Sequence, residues 1–570
     1  MSEKHKIKLG PLLGIEGDYS YTVTFLSDFD IQLDSIFLNL KFQSNQKDKI
    51  AKCNFKEKLH KSFVYKFEFD VTKNKENFVV EYCISDKQES YFSEHDDNWK
   101  FEVPGLDVIP KIGIASCNGA GNRPADPKSE EQFFMWKRLR KDHLLGTDKN
   151  HLNPFHCLLL TGDQIYADLL WKEIEYFEKH KLLGWRKIFN GSKKITEHKI
   201  HEDELEGLSE QLYEFYEKTY IQSWSNVDIA AVLASVPSVM MWDDHDIFDG
   251  WGSHYKYLQE SDLFKLIFKV AKEFFEKLQI RGSINKTRTC ISRNKKYEHY
   301  TCRLSFRNFE ILILDNRSQR TQKQIMSGKQ YEELDNILCD TSFFSKTSGR
   351  KSLTKDKTIL FVIPVPIAHL DYSNKAENFL KHISKLNFQQ NFSLGDDALD
   401  HWAHDEHSSE QKYLIDLIFR FGEVFSPTYI HIISGDVHSA GVGRIKRLKS
   451  EITEKWSPHG KDYLRVNQLV TSAIVHHPVG KIVQFFINIL TSQTKNIEGY
   501  DIWVDDYGKP DKRKTIYERN FGYLEKRNGE GLKFYLELES STTKIEPKND
   551  EVVDYNFDQP AKFEDSTAKD

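Results

Sequence analysis

Three short apolar runs end in clusters of residues suited to metal ions and phosphate: Thr161-Gly162-Asp163-Gln164-Ile165-Tyr166, Trp242-Asp243-Asp244-His245-Asp246 and Ser434-Gly435-Asp436-Val437-His438. Carboxylate and imidazole side chains are donors for di- and trivalent cations. In an α/β domain, ligands bind beyond the carboxyl ends of the strands, so residues hundreds of positions apart can converge there. The chemistry this pattern points to is metal-dependent cleavage of a phosphate ester.

Each cluster has an ordinary alternative. Asp163 follows an apolar strand and Gly162, which suits a bridging metal ligand, although a strand-end Asp also serves as a helix cap. Tyr166, three residues on, could swing its phenol onto the same ion as phenolate, or simply pack. Four ionisable groups from Asp243 to Asp246 would repel one another at a strand end unless a cation relieved them. His245 would then hydrogen-bond a substrate oxygen or protonate a leaving group. Asp436 and His438 sit two apart, on the same face of an extended segment, and the alternative for His438 is a hydrogen-bonded imidazole. Cys117, ending Lys111 to Cys117, is either a small buried hydrophobe or an unusual soft donor to iron. Asp315, Arg317 and Arg320 follow Ile311 to Leu314. There an Arg could clamp phosphate bidentately or form an ion pair with Asp315 or Asp244. His401, His404 and His407 read mainly as a loop or helix start, and His476-His477-Pro478 is unspecific. No P-loop, Rossmann glycine fingerprint, G-x-S-x-G elbow or H-E-x-x-H is present.

These clusters need a scaffold. Before about Pro104, alternating runs at 19–26, 36–42, 63–71, 78–84 and 99–103 read as half-buried strands of a small β-sandwich over residues 1–105. From 109 onward, apolar strands at 111–115, 155–160, 239–242, 310–314, 358–365 and 429–433 alternate with helices at 130–139, 205–220, 263–278 and 409–419. That order predicts helices packed on a sheet, over residues 106–547. Strands at 466–475, 515–524 and 532–538 are read as completing that sheet, the last two joined by a turn at 527–531. The acidic tail, 548–570, lacks periodicity and reads as disordered.

With 570 residues, the chain should hold about two to four domains. Its 39 Phe and 25 Tyr supply bulky core volume. A formal charge of −6, with both signs interspersed, leaves no strong field for nucleic acid or an anionic membrane. The seven cysteines, Cys53, Cys83, Cys117, Cys157, Cys290, Cys302 and Cys339, form no C-x-x-C, which favours a reducing compartment. No signal peptide or membrane span is legible, so the expectation is a cytoplasmic protein acting on a phosphate-ester substrate, with no protein partner named.

The ordered set Ala115-Ser116-Cys117, Gly162-Asp163-Gln164-Ile165-Tyr166, Trp242-Asp243-Asp244-His245-Asp246, Leu314-Asp315-Asn316-Arg317 and Gly435-Asp436-Val437-His438 resembles the PhoD-like alkaline phosphatase/phosphodiesterase family of the calcineurin-like metallophosphoesterases. By motif the likeness covers roughly residues 105–480. It implies a four-layer α/β/β/α catalytic domain after a small sandwich, with iron(III) and calcium, although Asp and His would accept manganese or zinc as readily. It further implies Cys117, Asp163, Tyr166, Asp436 and His438 as iron ligands, Asp163 and Asp244 on the calcium side, His245 as the catalytic histidine and Arg317 at the phosphate. Asp400 falls where the family has an Asp/Trp loop. The chain departs from secreted members in lacking an export signal, and 283–303 and 374–397 match no family pattern. The expected reaction is ester hydrolysis by a metal-bridged hydroxide, as monoesterase, diesterase or both. The alternative is a vestigial site on a partner-binding protein.

Overall fold

The computed structural model describes residues 7–43, 46–86, 99–121, 123–144, 154–182, 198–282, 299–339, 358–369, 371–372, 402, 405–424, 429–447, 465–478, 491–492, 494–505, 515–526, 532–540 and 553–556. The chain is a mixed α/β protein that divides into two compact units. Met1–Ile114, Asn118–Asp249 and Tyr255–Thr289 make the first; Ala115–Cys117, Gly250–His254 and Cys290–Asp570 make the second.

In the first unit the strands are β1 (Ile7–Gly17), β2 (Ser20–Ser27), β3 (Ile36–Phe42), β4 (Lys49–Leu59), β5 (Ser62–Asp70), β6 (Phe78–Asp86), β7 (Trp99–Val103), β8 (Ile112–Ala115), β9 (Cys157–Thr161) and β10 (Ser238–Met241). They are hydrogen-bonded in the order β8-β9-β10-β1-β2-β5-β4-β3-β6-β7. The residues of β8, β9 and β10 are buried throughout, as the continuous apolar runs of a sheet covered on both faces require. β1 lies between β10, to which it is parallel, and β2, to which it is antiparallel. The N-terminal strands extend the same sheet that carries β9 and β10. The alternation in 7–17 is interrupted by Gly10 and Pro11, so this joining strand had no clear sequence signal. β4 bridges two ladders, pairing through Lys49–Lys52 with β3 and through Cys53–Leu59 with β5, with a bulge between Cys53 and Phe55.

Two kinds of contact tie the N-terminal strands to the rest of this unit. Lys8 pairs with Glu217, His60 with Glu210 and Lys61 with Glu214, all on the Glu202–Trp224 helix. Partly exposed pairs of this sort contribute about 0–1 kcal/mol each. Tyr21, Phe25, Tyr65, Phe67 and Phe101 are essentially buried, and each such side chain contributes about 1.5–3 kcal/mol. That burial holds these strands to one another, while Tyr82 Oη ties them to the rest of the unit through a 2.6 Å hydrogen bond to Ala234 O.

The second unit contains β11 (Cys302–Phe306), β12 (Phe309–Ile313), β13 (Thr358–Val362), β14 (Asp371–Tyr372), β15 (Tyr429–Ser434), β16 (Gly441–Arg447), β17 (Arg465–Val470), β18 (Thr491–Ser492), β19 (Thr494–Ile497), β20 (Tyr500–Asp505), β21 (Asn520–Lys526), β22 (Leu532–Leu538) and β23 (Val553–Asn556). One sheet runs β11-β12-β13-β15-β17-β16-β20-β19, parallel from β12 to β17. The helices Gly328–Cys339 and Ser408–Val424 supply Leu334, Leu414, Ile418 and Phe421 to its core, beside Leu312, Phe361 and Ile432. β21 and β22 pair antiparallel as expected, and the turn joining them lies outside the described residues. Within the tail, Val553–Asn556 pairs with β22. A sheet edge can recruit a segment too short to show a pattern of its own.

Candidate metal centre

In the first unit, β9 and β10 end side by side, Met241 in register with Thr161, and deliver Asp163 and Asp243-Asp244-His245. Gly162 has φ 116°, and a Cβ there would lie 2.8 Å from the Asp243 Cβ, so only glycine permits this approach. Asp163 follows in a left-handed conformation, φ 56°. Such non-glycine residues persist where surrounding structure enforces them, often at functional sites.

Asp163 and Asp243 are fully buried and Asp244 nearly so. Asp163, Asp244 and His245 each offer a donor atom, all within 4.8 Å of one another. Two carboxylates at that separation repel by about 3 kcal/mol in a partly buried setting, and a cation between them reverses that cost. The donor set fits a hard or borderline metal ion.

His245 is held from two sides. Its Nδ1 lies 2.8 Å from Asp168 Oδ2, so the carboxylate accepts a hydrogen bond from Nδ1–H and leaves Nε2 as the pole that can give or receive a proton. The other Asp168 oxygen accepts from Asp249 N at 2.8 Å. The Tyr166 ring stacks on the imidazole, centroids 4.2 Å apart at 17°, and its hydroxyl donates to Asp163 Oδ2 at 3.5 Å. A Cβ on Gly119 would meet the Tyr166 ring at 2.1 Å, so the ring is wedged between Gly119 and His245.

Asp246 joins the two motifs. Its carboxylate accepts from Gln164 N at 3.0 Å, Ile165 N at 3.2 Å, Gln279 Nε2 at 2.8 Å and Asp243 N at 2.8 Å. Burial nevertheless raises its pKa to about 7, with the charge of Asp243 adding to the effect. Asp168 and Gln279 were not singled out in the sequence. Asp168 has a weak signal, as an acid two residues beyond Tyr166; Gln279 has none, since it arrives from a distant π-helical turn, Phe275–Gln279.

In the second unit, Cys117, Asp436 and His438 gather around Ser472. The Cys117 Sγ lies 3.1 Å from Ser472 Oγ and 3.5 Å from Asp436 O, and His438 N donates to Ser472 Oγ at 3.0 Å. All three residues are left-handed, with φ of 57°, 63° and 48°. The His476 ring stacks on His438 at 3.8 Å, a partner that sequence inspection passed over as unspecific.

Residues 122–369 match the family model described as PhoD related phosphatase. Over those residues the chain is similar to the PhoD related phosphatases. Among curated proteins it is 24% identical over 474 residues to the uncharacterized protein YGR266W of Saccharomyces cerevisiae, covering 73% of this chain. It spans 62% of that relative's length. Among solved structures it is similar to PhoD, with 12% identity, TM-score 0.49 and coverage of 95% and 91% of the two chains. It is also similar to the purple acid phosphatase PPD1 of yellow lupin (Lupinus luteus) seeds, with 11% identity, TM-score 0.45 and coverage of 93% and 72%.

Other motif residues hold loops. Arg317 is fully buried; its Nη1 donates to Trp251 O at 3.1 Å and its backbone N to Asp315 Oδ1 at 3.0 Å. Asp315 also accepts from Tyr300 N and Ser318 N. Asp400, His401 and His404 lie outside the described residues, whereas Trp402 and His407 are buried.

Proposed function

We propose that the chain hydrolyses phosphate esters at a metal centre built on Asp163 and Asp244, with His245 as proton donor. The observation that carries this reading is His245, oriented by Asp168 within 4.8 Å of two buried carboxylate donors. When bound, the metal supplies Lewis-acid charge for the phosphoryl oxygens and lowers the pKa of a water. His245 Nε2 gives its proton to the departing alkoxide, and Asp168 stabilises the ring while it carries charge. Tyr166 fixes the imidazole plane by stacking. The family resemblance assigns Cys117, Asp436 and His438, with Asp163 and Tyr166, to iron, and Asp163 and Asp244 to calcium; manganese or zinc would suit the oxygen and nitrogen donors as well. Arg317 at the phosphate rests on its motif position. Among the described residues Cys53, Cys83 and Cys157 are free thiols, which supports a reducing compartment.

The deciding experiment is turnover of 4-nitrophenyl phosphate and bis(4-nitrophenyl) phosphate by the purified chain, before and after chelation, with iron, calcium, manganese and zinc added back. Chelator-sensitive hydrolysis establishes the activity, and the preferred ester separates monoesterase from diesterase. No turnover with any metal would overturn the reading in favour of a partner-binding protein.

A further inference from the structure

Residues 471–476 touch two candidate donors of the second unit, Cys117 and His438, whose donor atoms lie within 4.8 Å of each other. A thiolate and an imidazole at that separation fit a borderline ion such as zinc or cobalt. On the Cys117 side the contacts are made by the main chain. Ile474 N donates to Ser116 O at 3.0 Å, and Val475 N and His476 N both donate to Cys117 O at 3.3 Å. On the His438 side, the Ser472 hydroxyl accepts from His438 N and the His476 ring covers the imidazole face. The segment is anchored from behind, because Asn520 Nδ2 donates to Ser472 O at 2.6 Å and Asn520 N to Ala473 O at 2.8 Å.

The stack is tight. Its centroids are 3.8 Å apart at 12°, closer than the about 4.5–7 Å of ordinary aromatic pairs. The His438 ring therefore cannot turn about its Cβ–Cγ bond without striking its neighbour. His476 is held in turn, since its Nδ1–H donates to His477 O at 2.9 Å. An imidazole gives up rotamer freedom when it takes an ion, and a ring already fixed gives up less. We propose that His476 is a positioning residue for the metal centre, its ring locking the His438 imidazole in the orientation in which it ligates. This inference rests on the metal-centre reading and gives a role to a residue outside its donor set.

The test titrates cobalt(II) into the apo full chain. A thiolate-to-cobalt absorption band in the near ultraviolet reports filling of the half of the centre that holds Cys117. It should vanish in Cys117→Ser and weaken in His438→Ala. His476→Ala should raise the cobalt dissociation constant read from that band about tenfold, the low end for loss of an outer partner. His476→Phe keeps a flat ring and should stay within about twofold of the parent, whereas His476→Gln, polar but ringless, should behave like His476→Ala. Urea midpoints of the three apo variants should match the parent, which a merely structural role would not allow. A parental constant in His476→Ala, or equal losses in His476→Ala and His476→Phe, would overturn the positioning role while the phosphatase reading stands. No thiolate band in the parent, or parental affinity in His438→Ala, would remove the ligand assignment and the positioning role with it.

Discussion

Asp168 and His245 form a hydrogen-bonded pair, Oδ2 to Nδ1 at 2.8 Å, although 77 residues separate them. Because the second Asp168 oxygen takes Asp249 N, Asp168→Asn leaves one of the two donors facing an NH₂ group. The expected result is a kcat lower by about 10- to 100-fold, the usual cost of losing an orienting outer partner. Metal stoichiometry and KM should hold. Parental kcat in this variant would remove Asp168 from the mechanism.

Asp163→Asn should abolish turnover with the far-UV circular dichroism unchanged and metal content reduced. His245→Ala should instead keep the metal and lower kcat by a factor of about a hundred to ten thousand, the share of a general acid. The two variants separate metal holding from proton transfer. Equal metal loss in both would place His245 among the ligands.

The four donors on Asp246 make it a tether between the two motif loops. In Asp246→Asn one acceptor becomes a donor aimed at other donors. A loss of about 1–3 kcal/mol of stability is expected for the buried groups left unsatisfied, read from the urea midpoint at constant m-value.

His431, on β15, is buried, and burial lowers its pKa from 6.5 to about 3. Below about pH 6.5 the unfolded chain gains a proton that the folded chain refuses. Its contribution is therefore complete above pH 6.5 and declines as the pH falls toward 3. Between pH 7.5 and 5.5, urea unfolding should show a loss of about 1.4 kcal/mol from this group. His431→Leu should flatten that slope; an unchanged slope would assign it elsewhere.

Much of the frame was legible because burial on both sheet faces writes itself as apolar runs. β9, β10, β12, β13 and β15 were each expected within a few residues of where they lie. The helices at 202–224 and 408–424 proved longer than their apolar spacing implied, since exposed terminal turns carry no hydrophobic signal. β1 was missed altogether, and with it the continuity of the N-terminal strands and the sheet bearing Asp163.

The sequence by itself determined which residues stand at strand ends, because side-chain type and strand periodicity are local properties. That was sufficient to bring forward Asp163, Tyr166, Asp244 and His245, and separately Cys117, Asp436 and His438. Only the tertiary structure decided that Asp168 orients His245, that Asp246 and Gln279 bind the two loops together, and that Cys117, Asp163, Asp436 and His438 adopt left-handed backbones. Hydrogen bonds across long loops depend on three-dimensional distance, and a strained φ is imposed by neighbours rather than by the residue itself.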